Sequence, residues 1–445
     1  MSGINRFTGV YLLIGLLQGL VFYYSEQFNR LSNTLIFVVY AVIWVGGTMW
    51  QLLGIRASQW RALLPVLVFT TLVGGITLWV SYSAEALGNG RWVIYFWYIC
   101  LVLLSCISAG FLLARSSARG QLWRYEDVSR HAWNSVLIVL FALILVGVFL
   151  LLLMFWNWLF LMVGSEGFEH LFWSELFLCI SLPLVFALGM HLGVFNENVV
   201  DQIRSMLFGA CRLLLPLVAL ISVLLILALP FSGLKPIWAT GYATPALLLL
   251  AGVQLCLVNG AFQAGGRPGP YPQWLRRCIG ASLLCLPILA ALAVYSSWLR
   301  VEQYGLSPHR FIALLLGGLC GVYGLAAVWA MVLRSPVWLR NLRATNPVLA
   351  LLFAALLVLM NTPLLDPVQL SVDDQIQRLL DGRTNAEAFD MHYLRFGLQN
   401  AGEEAFAKLQ ADLQQENILN PEARSVLREK VGATELSFFG PDSRE

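Results

Sequence analysis

The stretch SVLIVLFALILVGVFLLLLMFWNWLFLMV, residues 135–163, decides the fold class. It carries no charge, and its polar side chains are Ser135 and Asn157. A helix needs roughly 20 apolar residues to cross the hydrocarbon layer. Twenty-nine residues make a helix of about 43 Å, so this one must tilt strongly or project from the bilayer. Working outward, runs of the same kind recur at 7–24, 33–54, 61–81, 92–114, 171–195, 207–232, 244–264, 276–298, 310–333 and 347–365. With the first stretch they predict eleven transmembrane helices. Trp60, Trp92, Trp133, Trp173, Trp274, Trp298 and Trp338 lie near the proposed ends, where indole rings favour the headgroup level.

Composition agrees. Hydrophobic residues make up 59% of the chain and charged residues 12%, about half the charge that covers an ordinary soluble domain. The net charge of +3 is spread over short loops, which argues against a nucleic-acid partner. The first apolar run follows Arg6 and leads into Ser-Glu-Gln-Phe rather than a small-residue cleavage site, so it is expected to stay as an anchor. All eight Cys lie in or beside apolar runs and read as small packing residues rather than disulfide partners.

Alternating loops set the orientation. The set containing the N-terminus holds fifteen Lys or Arg, among them Arg56, Arg61, Arg124, Arg130 and Arg204, while the opposite set holds five, Arg30, Arg91, Lys235, Arg300 and Arg310. This bias predicts a cytoplasmic N-terminus, and eleven crossings then place the C-terminal tail outside, in the periplasm of a Gram-negative cell. The fold expected is all-α: a polytopic membrane helix bundle over 1–365 and a small extracytoplasmic helical tail over 366–445. The tail has no Trp and carries fifteen acidic against eight basic residues. Ser371 with Asp374, and Thr384 with Glu387, resemble capping boxes. Asn420-Pro421 reads as a helix start and Gly432 as its stop, and Leu379, Phe389, Leu394, Phe406 and Leu409 are the expected core.

Ionisable groups within a bilayer are costly and usually functional, and few occur here. Glu175 lies about one turn into the sixth span, and His191 and Arg212 lie near span ends. Gln18, Asn157 and Asn259 reach deeper. Glu175, Asn157 and Asn259 either line a substrate path or bridge helices and headgroups. The segment from Tyr125-Glu126-Asp127 through Arg130-His131 to Trp133-Asn134 reads as a site or as an interfacial helix. Asn196-Glu197-Asn198 with Asp201 and Arg204 is a weaker example of the same kind. Outside the membrane, the connection Trp298-Leu-Arg300-Val-Glu302-Gln303-Tyr304-Gly305-Leu-Ser307-Pro308-His309-Arg310 is dense in polar groups. Arg300 and Glu302 do not face each other on a continuing helix, and can do so if the chain leaves it. Ser307-Pro308 reads as the cap and first residue of the next helix. Gly15-x-x-x-Gly19 and Gly317-x-x-x-Gly321 permit close helix contact. Standard hydrolase, zincin, C-x-x-C and phosphate-loop patterns are missing, so no metal and no cofactor is expected.

Several of these stretches together resemble a bacterial inner-membrane family catalogued as domain of unknown function 4153. They are Tyr125-Glu126-Asp127 through Trp133; GLKPIWATG at 233–241 with Trp238; Asn259-Gly-Ala-Phe-Gln263; Trp298-Leu-Arg300 with Gln303-Tyr304-Gly-Leu306; and, in the tail, residues 379–382 and 390–396. The chain departs from the family's pattern at Ala264, where an acidic residue is common, and at Ser307, where Thr is common. The resemblance implies a polytopic inner-membrane protein with an extracytoplasmic helical tail. It supplies no activity, but it raises interest in Arg300, Gln303, Tyr304, Trp238 and Asn259. With Glu302 and Glu175, these are the candidate substrate-binding residues. Three classes stay open: a transporter or flippase for an apolar or lipid-linked substrate; an envelope scaffold, sensor or assembly factor binding a partner protein through its tail; and a membrane-embedded enzyme acting around Arg300 and Glu302. In each, the lipid bilayer is the first partner.

Overall fold

The structure, a computed structural model, describes residues 2–27, 33–84, 91–117, 124–164, 167–234, 236, 238, 240–262, 271–333, 339–414 and 421–438. Its helices are α1 (Ser2–Gln27), α2 (Asn33–Leu53), α3 (Trp60–Ala84), α4 (Arg91–Ser117), α5 (Tyr125–Met162), α6 (Gly167–Phe172), α7 (Glu175–Phe195), α8 (Glu197–Ser232) and α9 (Ala243–Phe262). They continue as α10 (Gln273–Ser282), α11 (Cys285–Tyr304), α12 (Pro308–Val332), α13 (Leu342–Leu359), α14 (Pro367–Leu380), α15 (Gln399–Gln414) and α16 (Pro421–Phe438). A 3₁₀ turn, Gly54–Ser58, follows α2, and a π turn, Tyr393–Gly397, precedes α15. Among the described residues there is no strand. Among the described residues, eleven segments are long and apolar enough to span a membrane, with α10 and α11 counted as one.

Two helices exceed the expected spans. α5 has 38 residues and α8 has 36, so each projects a few turns past a hydrocarbon layer of about 30 Å. Both project on the side of the N-terminus. The segment expected as a loop around Asn196 is a one-residue junction, and residues 197–206 already belong to α8. Nothing there breaks a helix, and Arg204 pairs back to Asp201 one turn earlier, at 3.0 Å.

Between apolar helices in lipid there is little hydrophobic drive, so backbone approach at small residues supplies the contact. A Cβ added at Gly15 would lie 2.6 Å from the Pro183 carbonyl oxygen, and one at Gly19 would lie 2.0 Å from that of Cys179. The first Gly-x-x-x-Gly pair is therefore the face on which α1 meets α7. Farther along α7, Gly189 and Gly193 pack on Ala142 and Ile138 of α5. Gly317 meets Val294 of α11 in the same way. The two larger core clusters lie among α1–α5 and α7 around Tyr11, Phe186 and Met190 and among α8–α13 around Leu215, Leu283 and Leu289, and a smaller one joins α2, α3, α4 and α13 around Val73, Trp97 and Leu357.

The ninth span is discontinuous. α10 ends at Ser282 and α11 begins at Cys285. Pro287 has no N–H for the carbonyl four residues back, and its ring crowds that carbonyl. The Leu286 amide donates to Leu283 (3.1 Å) instead of Ser282. Gln254 of α9 donates to the Ser282 carbonyl at 3.2 Å and to its hydroxyl at 3.1 Å, and accepts from Ser222 of α8 at 2.8 Å. All three side chains are fully buried. Irregular backbone at membrane depth persists where protein groups satisfy it. Pro183 and Pro216 lie inside unbroken helices.

In the tail, α14 starts a turn earlier than the Ser371 signal implies. Asp366 accepts from the Val368 amide at 2.8 Å and Pro367 occupies the first turn, a stronger start signal than Ser371. Ser371 instead donates to the Pro367 carbonyl inside the helix. Thr384 and Glu387 open only a turn, and α16 runs through Gly432 to Phe438. Asn420 lies outside the described residues. Leu379, Phe389, Leu394, Phe406 and Leu409 are buried in one cluster, with Trp92 and Val93 of α4 packed against it.

Candidate functional site

The end of the molecule beside the tail holds most of the residues singled out from the sequence. α11 stays helical through Tyr304, so Arg300 and Glu302 point apart. Arg300 donates to the Gly241 carbonyl at 2.8 Å, while Glu302 accepts from the Trp298 indole one turn back at 2.9 Å. Trp238 rests against Tyr295, with ring centroids 5.8 Å apart. The Tyr304 ring lies under Arg310, 5.4 Å from centroid to guanidinium, and Gln303 is exposed. The structure thus gathers Trp238, Arg300, Glu302, Gln303 and Tyr304 at one end of α11.

What lies on this loop is α14 of the tail. Arg378 donates to the carbonyls of Val301 (2.6 Å) and Glu302 (3.1 Å) and pairs with Asp374 at 3.0 Å. Asp374 also accepts from the Leu306 amide at 2.6 Å, and Gln375 donates to the Leu306 carbonyl at 3.1 Å. Gly305 has φ +79°, and a Cβ there would lie 2.5 Å from Gln375, so the turn requires glycine. The orphan carbonyls at the C-terminus of α11 are thus served by Arg378 of the tail rather than by the polar side chains of the loop itself. Ser307 caps α12 by accepting from the Arg310 amide at 3.4 Å.

The other two candidates lie apart. Glu175 is exposed in the first turn of α7, behind the Ser174 cap, where a carboxylate complements the helix dipole. Asn259 accepts from Asn346 of α13 at 2.6 Å, and Asn346 also donates to the Tyr125 hydroxyl at 2.8 Å. These three residues join α5, α9 and α13 on the N-terminal side, where Glu126 pairs with Arg343 at 3.2 Å.

A large polar opening lies elsewhere on that same side. A cavity of about 790 Å³ is enclosed by the end of α2 and its 3₁₀ turn, the end of α4, the start of α5, the end of α7 and the start of α8. Its polar lining is Arg56, Asp127, Arg130, His131, Asn134 and residues 196–198. Arg130 meets Asp201 at 3.5 Å, Arg204 meets Asp201 at 3.0 Å, and Arg204 also donates to Asn134. The two weaker polar segments of the sequence thereby become one wall, because the projecting starts of α5 and α8 stand side by side. Arg56 was not singled out, since a lone Arg after a span reads as topology.

Beside this cavity, an apolar groove of about 560 Å³ runs along α2, α4 and α5. Trp44, Met49, Tyr98, Ala109, Val139 and Leu143 are among its walls. Leu52 and Ser135 line both spaces. From that junction the groove extends along α5 to Leu143, about 12 Å, and along α2 to Tyr40, about 18 Å, comparable with one leaflet of the hydrocarbon layer, about 15 Å. Among the described residues, no group of three or more His, Cys, Asp or Glu is placed to hold a metal.

A family model described as domain of unknown function (DUF4153) matches residues 11–409. The chain belongs to this family. No curated protein and no solved structure matches it. The DUF4153 match takes in the cavity, the groove and the clamp between α11 and α14.

Proposed function

We propose that this DUF4153 protein is a transporter or flippase of a lipid or lipid-linked substrate, taken up from the bilayer on the cytoplasmic side. The observation that carries the reading is that a charged cavity and an apolar groove lie side by side and share Leu52 and Ser135 in their linings. Such a pair fits an amphipathic molecule, its headgroup among the charges and its chains against the groove. The fifteen-to-five Lys/Arg bias supports a cytoplasmic N-terminus and hence a cytoplasmic cavity. The inner membrane of a bacterium is its setting in this reading, with 1–365 the membrane domain and 366–445 an extracytoplasmic tail. The break between α10 and α11 gives secondary support, since discontinuous helices recur in transporters.

A second reading has one observation in its favour. A groove of about 520 Å³ lies between α14 and α15, with Val372, Ile376 and Leu380 in its lining and four carboxylates, Asp373, Asp381, Glu404 and Asp412, around it against one Lys408. It suits a scaffold or sensor that binds a basic partner segment.

The test is translocation of a fluorescent phospholipid between leaflets of proteoliposomes. Transfer faster than in protein-free vesicles, and slowed by Leu143→Trp in the groove, is the expected result. Transfer no faster than in protein-free vesicles overturns the proposal.

A further inference from the structure

The charges of the cavity narrow the substrate class. Both signs face it: guanidinium groups from Arg56 and Arg130, carboxylates from Asp127 and Glu197. Arg130 already meets Asp201 at 3.5 Å. Among the described residues, neither Asp127 nor Glu197 has a Lys or Arg nitrogen within 4.0 Å. Asp127 leaves the first turn of α5 and Glu197 the first turn of α8, so the carboxylates approach the space from two different helices.

An anionic lipid would bring its phosphate to the guanidinium groups and leave both carboxylates facing a negative ligand. A choline headgroup carries a positive charge but no N–H to donate. A primary ammonium offers three donors and a compact charge, and carboxylates lining a cavity, Asp127 half-buried and Glu197 exposed, favour such a partner. The acyl chains, held in the groove beyond Ser135, keep the headgroup at the depth of these residues.

Resting on the reading that this cavity and groove hold a lipid, we infer that its headgroup is a zwitterion joining a phosphate to a primary amine. Arg56 and Arg130 take the phosphate, and Asp127 and Glu197 take the ammonium.

The experiment uses the full chain purified in detergent and exposed to equal amounts of phosphatidylethanolamine, phosphatidylglycerol and phosphatidylcholine, with retained lipid read by native mass spectrometry. The wild type should retain phosphatidylethanolamine about tenfold over either competitor, the discrimination of one well-made charged contact. The double variant Asp127→Asn/Glu197→Gln should still hold lipid while its preference shrinks to within about twofold. Leu143 is 54% exposed and lines the groove, so Leu143→Trp should fold while filling the groove against every lipid. Retention of phosphatidylglycerol or phosphatidylcholine equal to phosphatidylethanolamine, or an unchanged preference in the double variant, overturns the headgroup assignment alone. Undiminished retention in Leu143→Trp, or no retained lipid in the wild type, overturns the underlying lipid site.

Discussion

Replacing Arg378 with Met tests how the tail is held. The side chain is 11% exposed and its partner Asp374 is 25% exposed, so water competes weakly for their contacts. Three donors are lost, to Val301, Glu302 and Asp374. Hydrogen bonds to charged groups are worth about 1.5–3 kcal/mol each before water re-enters. Removing one member of a buried pair costs about 3–5 kcal/mol. Partial exposure here places the loss near 3 kcal/mol, about a hundredfold in the opening equilibrium. Hydrogen exchange of peptides covering 301–310 and 371–380 reads that equilibrium directly. Both peptides should lose protection together by about two decades in Arg378→Met. Arg378→Lys keeps the charge but cannot present a planar fork, and should fall between. Unchanged exchange at 301–310 in the Met variant would refute the clamp.

Other expectations follow from single contacts. Gly19→Ala drives a methyl into the Cys179 carbonyl and should destabilise by about 2 kcal/mol or more, whereas Gly9→Ala meets nothing within 4 Å and should be neutral or better; thermal unfolding in one detergent compares them. Gln254→Leu strips the Ser282 carbonyl of its donor at the helix break and should cost about 1–3 kcal/mol by the same measurement. Arg300→Ala removes one exposed contact to Gly241; it should leave membrane accumulation unchanged, and lost activity at normal accumulation would give this end of α11 a direct role. Burial raises the Asp366 carboxyl above its ordinary value, against the lowering effect of the Val368 and Gln369 amides. The folded chain therefore holds that proton more tightly than the unfolded one, and this stabilisation is present below the ordinary carboxylate pKa and lost as pH rises through the raised one. Protection of α14 should fall across that window, and Asp366→Asn should flatten the profile. Reporter fusions at Arg119 and Gln415 test orientation, the first expected active only as a cytoplasmic reporter and the second only as an exported one.

The helical bundle was legible because apolar runs have only one way to span lipid, and Gly15 and Gly19 announced a contact face by their spacing. A Pro inside an apolar run, such as Pro287, can break a helix, but its partner Gln254 was not legible, since a lone Gln in such a run does not name the carbonyl it serves. Asp366-Pro367 held a plain start signal that Ser371 and Asp374 obscured, being three residues apart and of the right types. The site was legible in pieces. The segments at 125–134 and 196–204 were chemically conspicuous, yet sequence assigned them to separate loops, and only the lengths of α5 and α8 bring them to one wall. The loop at 300–310 misled in the opposite sense. Its density of polar side chains suggested chemistry, yet in the fold it is the loop's backbone that holds the tail, and Arg378 gives no sign in sequence of the carbonyls it will reach.

That reach has a consequence for how the protein is made. The carbonyls of Val301 and Glu302 are satisfied by a side chain 77 and 76 residues further along the chain. At about 5–20 residues per second, the ribosome needs several seconds to supply it, and α12 and α13 must be inserted in the interval. Through that period the end of α11 is provisional, its carbonyls served by water or lipid headgroups. A chain truncated before Arg378 would carry all eleven spans and still present an unfinished helix end. Quality control at the membrane surface can therefore tell a finished copy from an unfinished one at a single loop, by whether α14 has arrived.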